Sequence, residues 1–154
     1  MSPISRNPTD RLGVYKSFED LPEDYRLESY DEAYHHRDVW GEFLIEIFFP
    51  VHNSYQTQQE ARRVGRKWRA VIDEQGRHHA LARPADVELF CARVLDEVEP
   101  RTAYKAYWGK LEQFYEWLCW HTDHPHRYNP VLMAANEHER AREIWNTKVE
   151  ELEG

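Results

Sequence analysis

Apolar side chains recur at helical spacing along most of this chain, and this periodicity limits the folds that it can adopt. Within residues 102–121, Tyr107, Leu111, Phe114 and Leu118 follow one another at steps of four, three and four. Such spacing places side chains on one face of an α-helix. The strict alternation that a half-buried strand requires is almost absent. We therefore expect an all-α protein, a small helical bundle with short connections.

The same spacing predicts helices that start and stop at capping residues, glycines and prolines. They cover residues 37–49, 57–73, 85–98, 102–121, 130–135 and 137–152. Asn129 followed by Pro130 is a start signal for the fifth of them. Residues 1–36 lack such periodicity and predict an irregular N-terminal arm, with one helical turn capped by Ser17. Residues 37–154 then form the helical domain.

Two features indicate where the chain resides and how the arm is held. Cys91 and Cys119 fall within predicted helices beside apolar residues, so we interpret them as buried free thiols, which are typical of a reducing cytoplasm. The first residues are polar, and no apolar segment is long enough to span a bilayer, so we expect a cytoplasmic protein without a membrane role. Five tyrosines between positions 15 and 55 indicate that parts of the arm lie on the body.

The charge distribution points to one basic surface in an acidic chain. The net charge is −8, yet residues 61–83 hold seven Lys or Arg against two Asp or Glu. On the helix predicted at 57–73, the side opposite the apolar face is centred on Arg62, Arg66 and Arg69. Arg63 and Lys67 flank this side. Guanidinium groups on one face can hold phosphates, so this face is the first candidate for DNA binding; the alternative is a solvated face that balances acidic neighbours.

Residues 85–135 carry a pattern that resembles a known family. Phe90 and Leu95 lie on one helix, and Arg101-Thr102 opens the next after a short break. The pattern continues with Tyr107, Leu111, Phe114, Trp117 and Leu118, and then with Tyr128-Asn129-Pro130. The segment resembles the SAM-like core-binding domain of tyrosine recombinases of the phage-integrase type. The acid-rich, arginine-rich composition is consistent with an archaeal member.

One step of this pattern departs from the family. The family's second helix typically reads Thr, Tyr, Leu, Phe and Trp at steps of four, four, three and three. Here Thr102 stands five positions before Tyr107, and Ala103 occupies the matching place. The later steps agree with the family.

The resemblance implies a helical bundle that packs across duplex DNA as half of a clamp. Arg101, Thr102 and Lys105 would then approach the sugar-phosphate backbone, where a helix start presents exposed N–H groups. Partners would be duplex DNA and either a full-length recombinase or a second copy of the chain. The expected role is an accessory or regulator of integration or recombination.

No catalytic centre is expected in this chain. The recombinase catalytic domain needs a His-x-x-Arg motif among other residues, but after the core-binding-like segment His138 is followed by Arg140 and Ala141. The chain also lacks a glycine-rich phosphate loop and a nucleophile in a recognisable catalytic context. We therefore expect neither an enzyme nor a cofactor.

Two other functions remain open. A helical protein-interaction or virus-assembly module would use exposed aromatic side chains, for which Trp117 and Trp120 are candidates because they lie off the main apolar stripe. A metal-dependent hydrolase would use His121, Asp123, His124 and His126, although we favour a structural loop there and expect no metal site. The paired histidines at 35–36 and 78–79 are interpreted as surface residues.

Overall fold

The structure is a computed structural model that describes residues 7–153, and this part of the chain is all-α without a β-strand. Residues 1–6 of the predicted arm and residue 154 of the predicted helical domain lie outside the described residues. The main helices are α1 (Val39–Phe43), α2 (Tyr55–Glu74), α3 (Pro84–Glu97), α4 (Gly109–Trp120), α5 (Pro130–Glu137) and α6 (Glu139–Glu153). The predicted all-α fold is confirmed.

Wide π-helical turns extend α1 and α4. One continues α1 over Leu44–Phe48, and the other, Ala103–Trp108, joins a first turn at Pro100–Thr102 to α4. At the end of the second turn, the Gly109 N–H donates to the Tyr104 carbonyl, five residues back. An α-helix bonds four residues back, so a π-turn accommodates one extra residue without breaking the helix.

The first predicted helix begins and ends inside its predicted bounds. Helix α1 starts at Val39 because the Asp38 side chain caps it, accepting the Gly41 N–H at 3.0 Å. The π-turn that follows ends at Phe48, and Pro50 lies in a 3₁₀ turn at the next residues. The sequence places this proline correctly as the end of the helix and misses the change of helix type.

Of the two helix starts predicted in the core-binding-like segment, one is confirmed and the other begins earlier than predicted. Asn129 caps α5 as predicted, because its side chain accepts the Val131 N–H at 2.9 Å. The helix predicted from Thr102 instead begins at Pro100, and the Thr102 side chain makes no capping hydrogen bond. Proline at the first helical position needs no N–H partner, which explains the earlier start.

Four fully buried tryptophans dominate the core, namely Trp40, Trp68, Trp108 and Trp145. The indole N–H of Trp40 donates to the Ala61 carbonyl at 3.1 Å and joins α1 to α2. That of Trp68 donates to the His79 carbonyl at 2.9 Å and joins α2 to the loop before α3. Each bulky ring thus fills the interior while its polar atom keeps a partner.

Residues 7–36 pack against the body through short helical turns. The turns are Pro8–Arg11, Phe18–Asp20, Glu23–Tyr25, Leu27–Tyr30 and Asp31–Tyr34. Leu12, Leu21, Leu27 and Tyr34 are buried, and the Phe18 N–H donates to the Glu137 carboxylate at 2.7 Å. Ser17 precedes the predicted turn but makes no capping hydrogen bond. The prediction that parts of the arm lie on the body is confirmed.

Both cysteines are free, as predicted. Cys91 is buried, as expected, whereas Cys119 is only half-buried. Among residues 7–153, no helix combines the length and the apolar character that crossing a membrane would need.

Candidate nucleic-acid interface

Helix α2 presents an outer face on which three arginines are exposed to solvent. Its inner face is buried in the core through Ala61, Val64 and Trp68. The opposite face carries Arg62, Arg63 and Arg66, because residues three and four apart lie on the same side of a helix. We call this set the arginine face.

The three cations of the arginine face have no acidic partner in the part of the chain that the structure describes. Among residues 7–153, no carboxylate lies within 4.0 Å of Arg62, Arg63 or Arg66. The Arg62 guanidinium instead lies over the Phe49 ring, 4.8 Å from its centroid. Such a contact orients the cation and leaves its N–H donors free for an external acceptor. The arginine face therefore has the charge and the donors to hold an anion.

The other two basic residues predicted on this helix are held by carboxylates. Arg69 Nη1 lies 2.9 Å from Asp38 Oδ1, which ties α2 to the cap of α1. Lys67 forms an ion pair with Glu97 at the end of α3. These pairs flank the arginine face on its two sides, so the structure divides the predicted set of five into three free cations and two neutralised ones.

Lys110 on α4 is half-buried, and its ammonium group donates to the Ala106 carbonyl at 3.1 Å. Burial lowers the pKa of this ammonium group, Glu60 opposes this effect, and the positive charge of Arg63 lowers the pKa further.

The second predicted DNA contact, at Arg101, Thr102 and Lys105 before α4, has a different environment. Arg101 Nε and Lys105 Nζ lie 2.9 and 3.8 Å from the two carboxylate oxygens of Glu151 on α6. Thr102 is exposed and lines a groove of about 430 Å³ together with Asp96, Glu97 and Glu99. Carboxylates therefore surround these three predicted residues, which makes this position less favourable for phosphate than the arginine face.

The loop that suggested a metal site is held by hydrogen bonds. His124 Nδ1 lies 2.5 Å from the Tyr34 hydroxyl, and His126 Nε2 lies 2.6 Å from the Ala80 carbonyl oxygen. His121 lies 3.9 Å from Asp123 Oδ2. Within residues 7–153, no three His, Cys, Asp or Glu side chains are grouped so that they could hold a metal ion.

His79 is buried, and its interpretation as a surface residue is wrong. Its Nε2 atom accepts the backbone N–H groups of Val39 and Trp40, each at 3.1 Å, and so satisfies two donors at the start of α1. Burial lowers the pKa of His79 to about 2, and the charges of His78 and Arg69 act in the same direction. A neutral imidazole is required for this role, because a protonated ring could not accept both donors.

The two tryptophans that lie off the apolar stripe of α4 have different environments. Trp117 packs on Phe43, with ring centroids 5.7 Å apart. Trp120 is 82 % exposed and lines a groove of about 580 Å³ together with Arg11 and Gly13 of the arm. One exposed aromatic side chain therefore lies beside the arm, as an interaction module would require.

Known proteins do not provide a relative that would decide between these surfaces. No family model, no curated protein and no solved structure matches the chain.

Proposed function

We propose that this protein is a non-catalytic DNA-binding protein, related to the core-binding domain of tyrosine recombinases, that grips duplex DNA through its phosphates. Its role would be that of an accessory or regulator of integration or recombination. The observation that carries the proposal is the arginine face, on which Arg62, Arg63 and Arg66 are exposed without a carboxylate partner among residues 7–153. Because none of these arginines is held in one of the described ion pairs, no such pair has to be broken when a phosphate approaches.

The dimensions of the arginine face suit a phosphate backbone. Arg62 and Arg66 stand one helical turn apart, about 6 Å along the axis at a rise of about 1.5 Å per residue. This is close to the spacing of successive phosphates along one strand, so neighbouring phosphates could each receive a guanidinium group. Contacts of this kind position a protein on a duplex and carry no sequence preference.

The π-turn before α4 supports the relationship to the recombinase domain. Tyr107 follows Thr102 at a step of five where the family pattern has a step of four, and the residues of this step after Thr102 lie within the π-turn Ala103–Trp108. Because a π-turn accommodates one extra residue, Tyr107 and Leu111 still face the core, with exposed fractions of 9 and 1 %. The one departure from the family pattern thus has a structural compensation.

A salt titration of DNA affinity tests the proposal. Three phosphate contacts predict a slope of about −2.7 for log K against log[salt] on random duplex DNA. The triple variant Arg62→Ala/Arg63→Ala/Arg66→Ala should lose at least about tenfold in affinity at low salt and most of this slope. The loss should be equal on unrelated duplex sequences.

A matched variant controls for the change in net charge. Arg37, Arg93 and Arg140 are exposed arginines that are each paired with a carboxylate, namely Glu42, Glu74 and Glu143. Their triple replacement by Ala removes the same charge and should leave the salt slope unchanged. Equal losses in the two triple variants, or no binding by the wild-type protein, would contradict the proposal.

A second candidate function is a helical protein-interaction or virus-assembly module. It is favoured by the exposed indole of Trp120 beside Arg11, since tryptophan and arginine are enriched in protein interfaces. In this case a Trp120→Ala variant would lose self-association in sedimentation velocity, whereas replacing the arginine face would change nothing. Self-association that is unaffected by Trp120→Ala would count against this candidate.

A further inference from the structure

Glu151, in the last turn of α6, holds two cations at the start of the helix that leads into α4. Its two carboxylate oxygens lie 2.9 Å from Arg101 Nε and 3.8 Å from Lys105 Nζ. The side chains of Arg101 and Lys105 are 64 and 52 % exposed, so another anion can reach both. One carboxylate thus occupies the two cations that the resemblance assigns to the DNA backbone.

The acidic end of α6 is not explained by the stability of that helix itself. Its last turn contains Glu150 and Glu151 and no basic residue. Negative charge at a helix C-terminus opposes the helix dipole and is locally unfavourable. The ion pairs with Arg101 and Lys105 compensate for this placement in the case of Glu151. Glu150 has no ion pair within the part of the chain that the structure describes.

We propose that the last turn of α6 acts as an internal competitor of DNA phosphates for Arg101 and Lys105. This inference rests on the proposed function, since it concerns the regulation of DNA binding. Exposed ion pairs are weak, so a polyanion can displace Glu151, but the displacement lowers the net affinity. The arginine face makes the first contact with DNA. Arg101 and Lys105 add their two positive charges only when Glu151 is released.

Replacing Glu151 by the uncharged glutamine tests the competition. Glu151→Gln should raise the affinity for random duplex DNA about three- to tenfold at low salt, because two cations become free. It should also steepen the salt slope by about 1.8, the value expected for two more phosphate contacts. Adding Arg101→Ala and Lys105→Ala to Glu151→Gln should abolish both gains.

The matched control is Glu150→Gln, which makes the same charge change in the same turn of α6. It should alter the affinity less than about twofold, because Glu150 blocks no cation. Equal gains from the two variants, or a gain from Glu151→Gln that survives the loss of Arg101 and Lys105, would overturn the inference.

The outcomes separate this inference from the proposed function. If the wild-type protein binds DNA through the arginine face and Glu151→Gln has no effect, the inference fails and the proposed function stands. If neither the wild-type protein nor Glu151→Gln binds DNA, both fail. A gain specific to Glu151→Gln that depends on Arg101 and Lys105 supports both.

Discussion

The indole ring of Trp40 lies directly against the backbone of Gly65, and a Cβ atom added at Gly65 would overlap the ring. Helix α1 therefore approaches α2 more closely than any side chain at position 65 would allow. The hydrogen bond from Trp40 Nε1 to the Ala61 carbonyl, 3.1 Å long, fixes the ring in this place. This contact anchors the helix that carries the arginine face.

The first prediction concerns the contact between Trp40 and Gly65. A Gly65→Ala variant must displace the Trp40 ring from a closely packed core, and we expect it to lower the free energy of unfolding by about 2 kcal/mol. The measurement is urea denaturation followed by circular dichroism.

Gly109 provides the matched control for this substitution. A Cβ atom there would meet its nearest neighbour, the Tyr104 carbonyl oxygen, at an ordinary distance of 3.6 Å. Because Ala is the better helix former, Gly109→Ala should stabilise the protein by about 0.5–1 kcal/mol. Equal effects of the two substitutions would show that the close approach of Trp40 contributes nothing.

Local sequence signals predicted much of the fold, since the apolar stripe of each helix and the cap at Asn129 depend only on nearby residues. The π-turns were not predicted, because they arise from tertiary packing and leave the helical spacing nearly intact. His79 was missed for the same reason. Its two donors come from residues about forty positions earlier, and no local pattern reveals such a long-range cap.

The candidate site was predictable only in part. The helical period centred the basic face on Arg62, Arg66 and Arg69, with Arg63 and Lys67 on its flanks, whereas the structure leaves Arg62, Arg63 and Arg66 exposed. The sequence could not show that carboxylates distant along the chain hold Arg69 and Arg101, because such pairs depend on how the helices pack. The number of free cations is therefore a property of the tertiary structure.

The second prediction concerns stability in mild acid. Burial lowers the pKa of His79 to about 2 and that of His126 to about 4, whereas both groups in the unfolded chain titrate near 6.5. Between these values the unfolded chain binds more protons than the native protein, so stability is fully present above about pH 6.5 and is lost as the pH falls. We expect a loss of about 2–3 kcal/mol per pH unit between pH 6 and 5.

Urea denaturation at a series of pH values measures this loss. A His126→Gln variant should show a clearly weaker dependence on pH, because one of the buried imidazoles with a lowered pKa is gone. His35→Gln, a change at an exposed histidine, serves as the control. A wild-type protein that is equally stable at pH 6.5 and pH 5 would contradict the prediction.

The third prediction concerns the buried ion pair between Glu112 and Lys148. The Lys148 ammonium lies 2.8 and 2.9 Å from the two carboxylate oxygens of Glu112, and the two side chains are only 12 and 10 % exposed. The same carboxylate accepts the indole N–H of Trp108 at 2.9 Å. Lys148→Met leaves a buried carboxylate without its counter-ion and should lower the free energy of unfolding by about 3–5 kcal/mol.

The charge of Glu112 explains most of this expected cost, and a double variant separates the charge from the packing. In a Glu112→Gln background the amide oxygen can still accept the Trp108 N–H, and Lys148→Met should then cost about 1 kcal/mol or less. The exposed pair of Arg140 and Glu143 gives the comparison, since Arg140→Met should cost less than about 0.5 kcal/mol. A cost of Lys148→Met that is the same in both backgrounds would assign the effect to lost packing of the lysine stem instead of an unpaired charge.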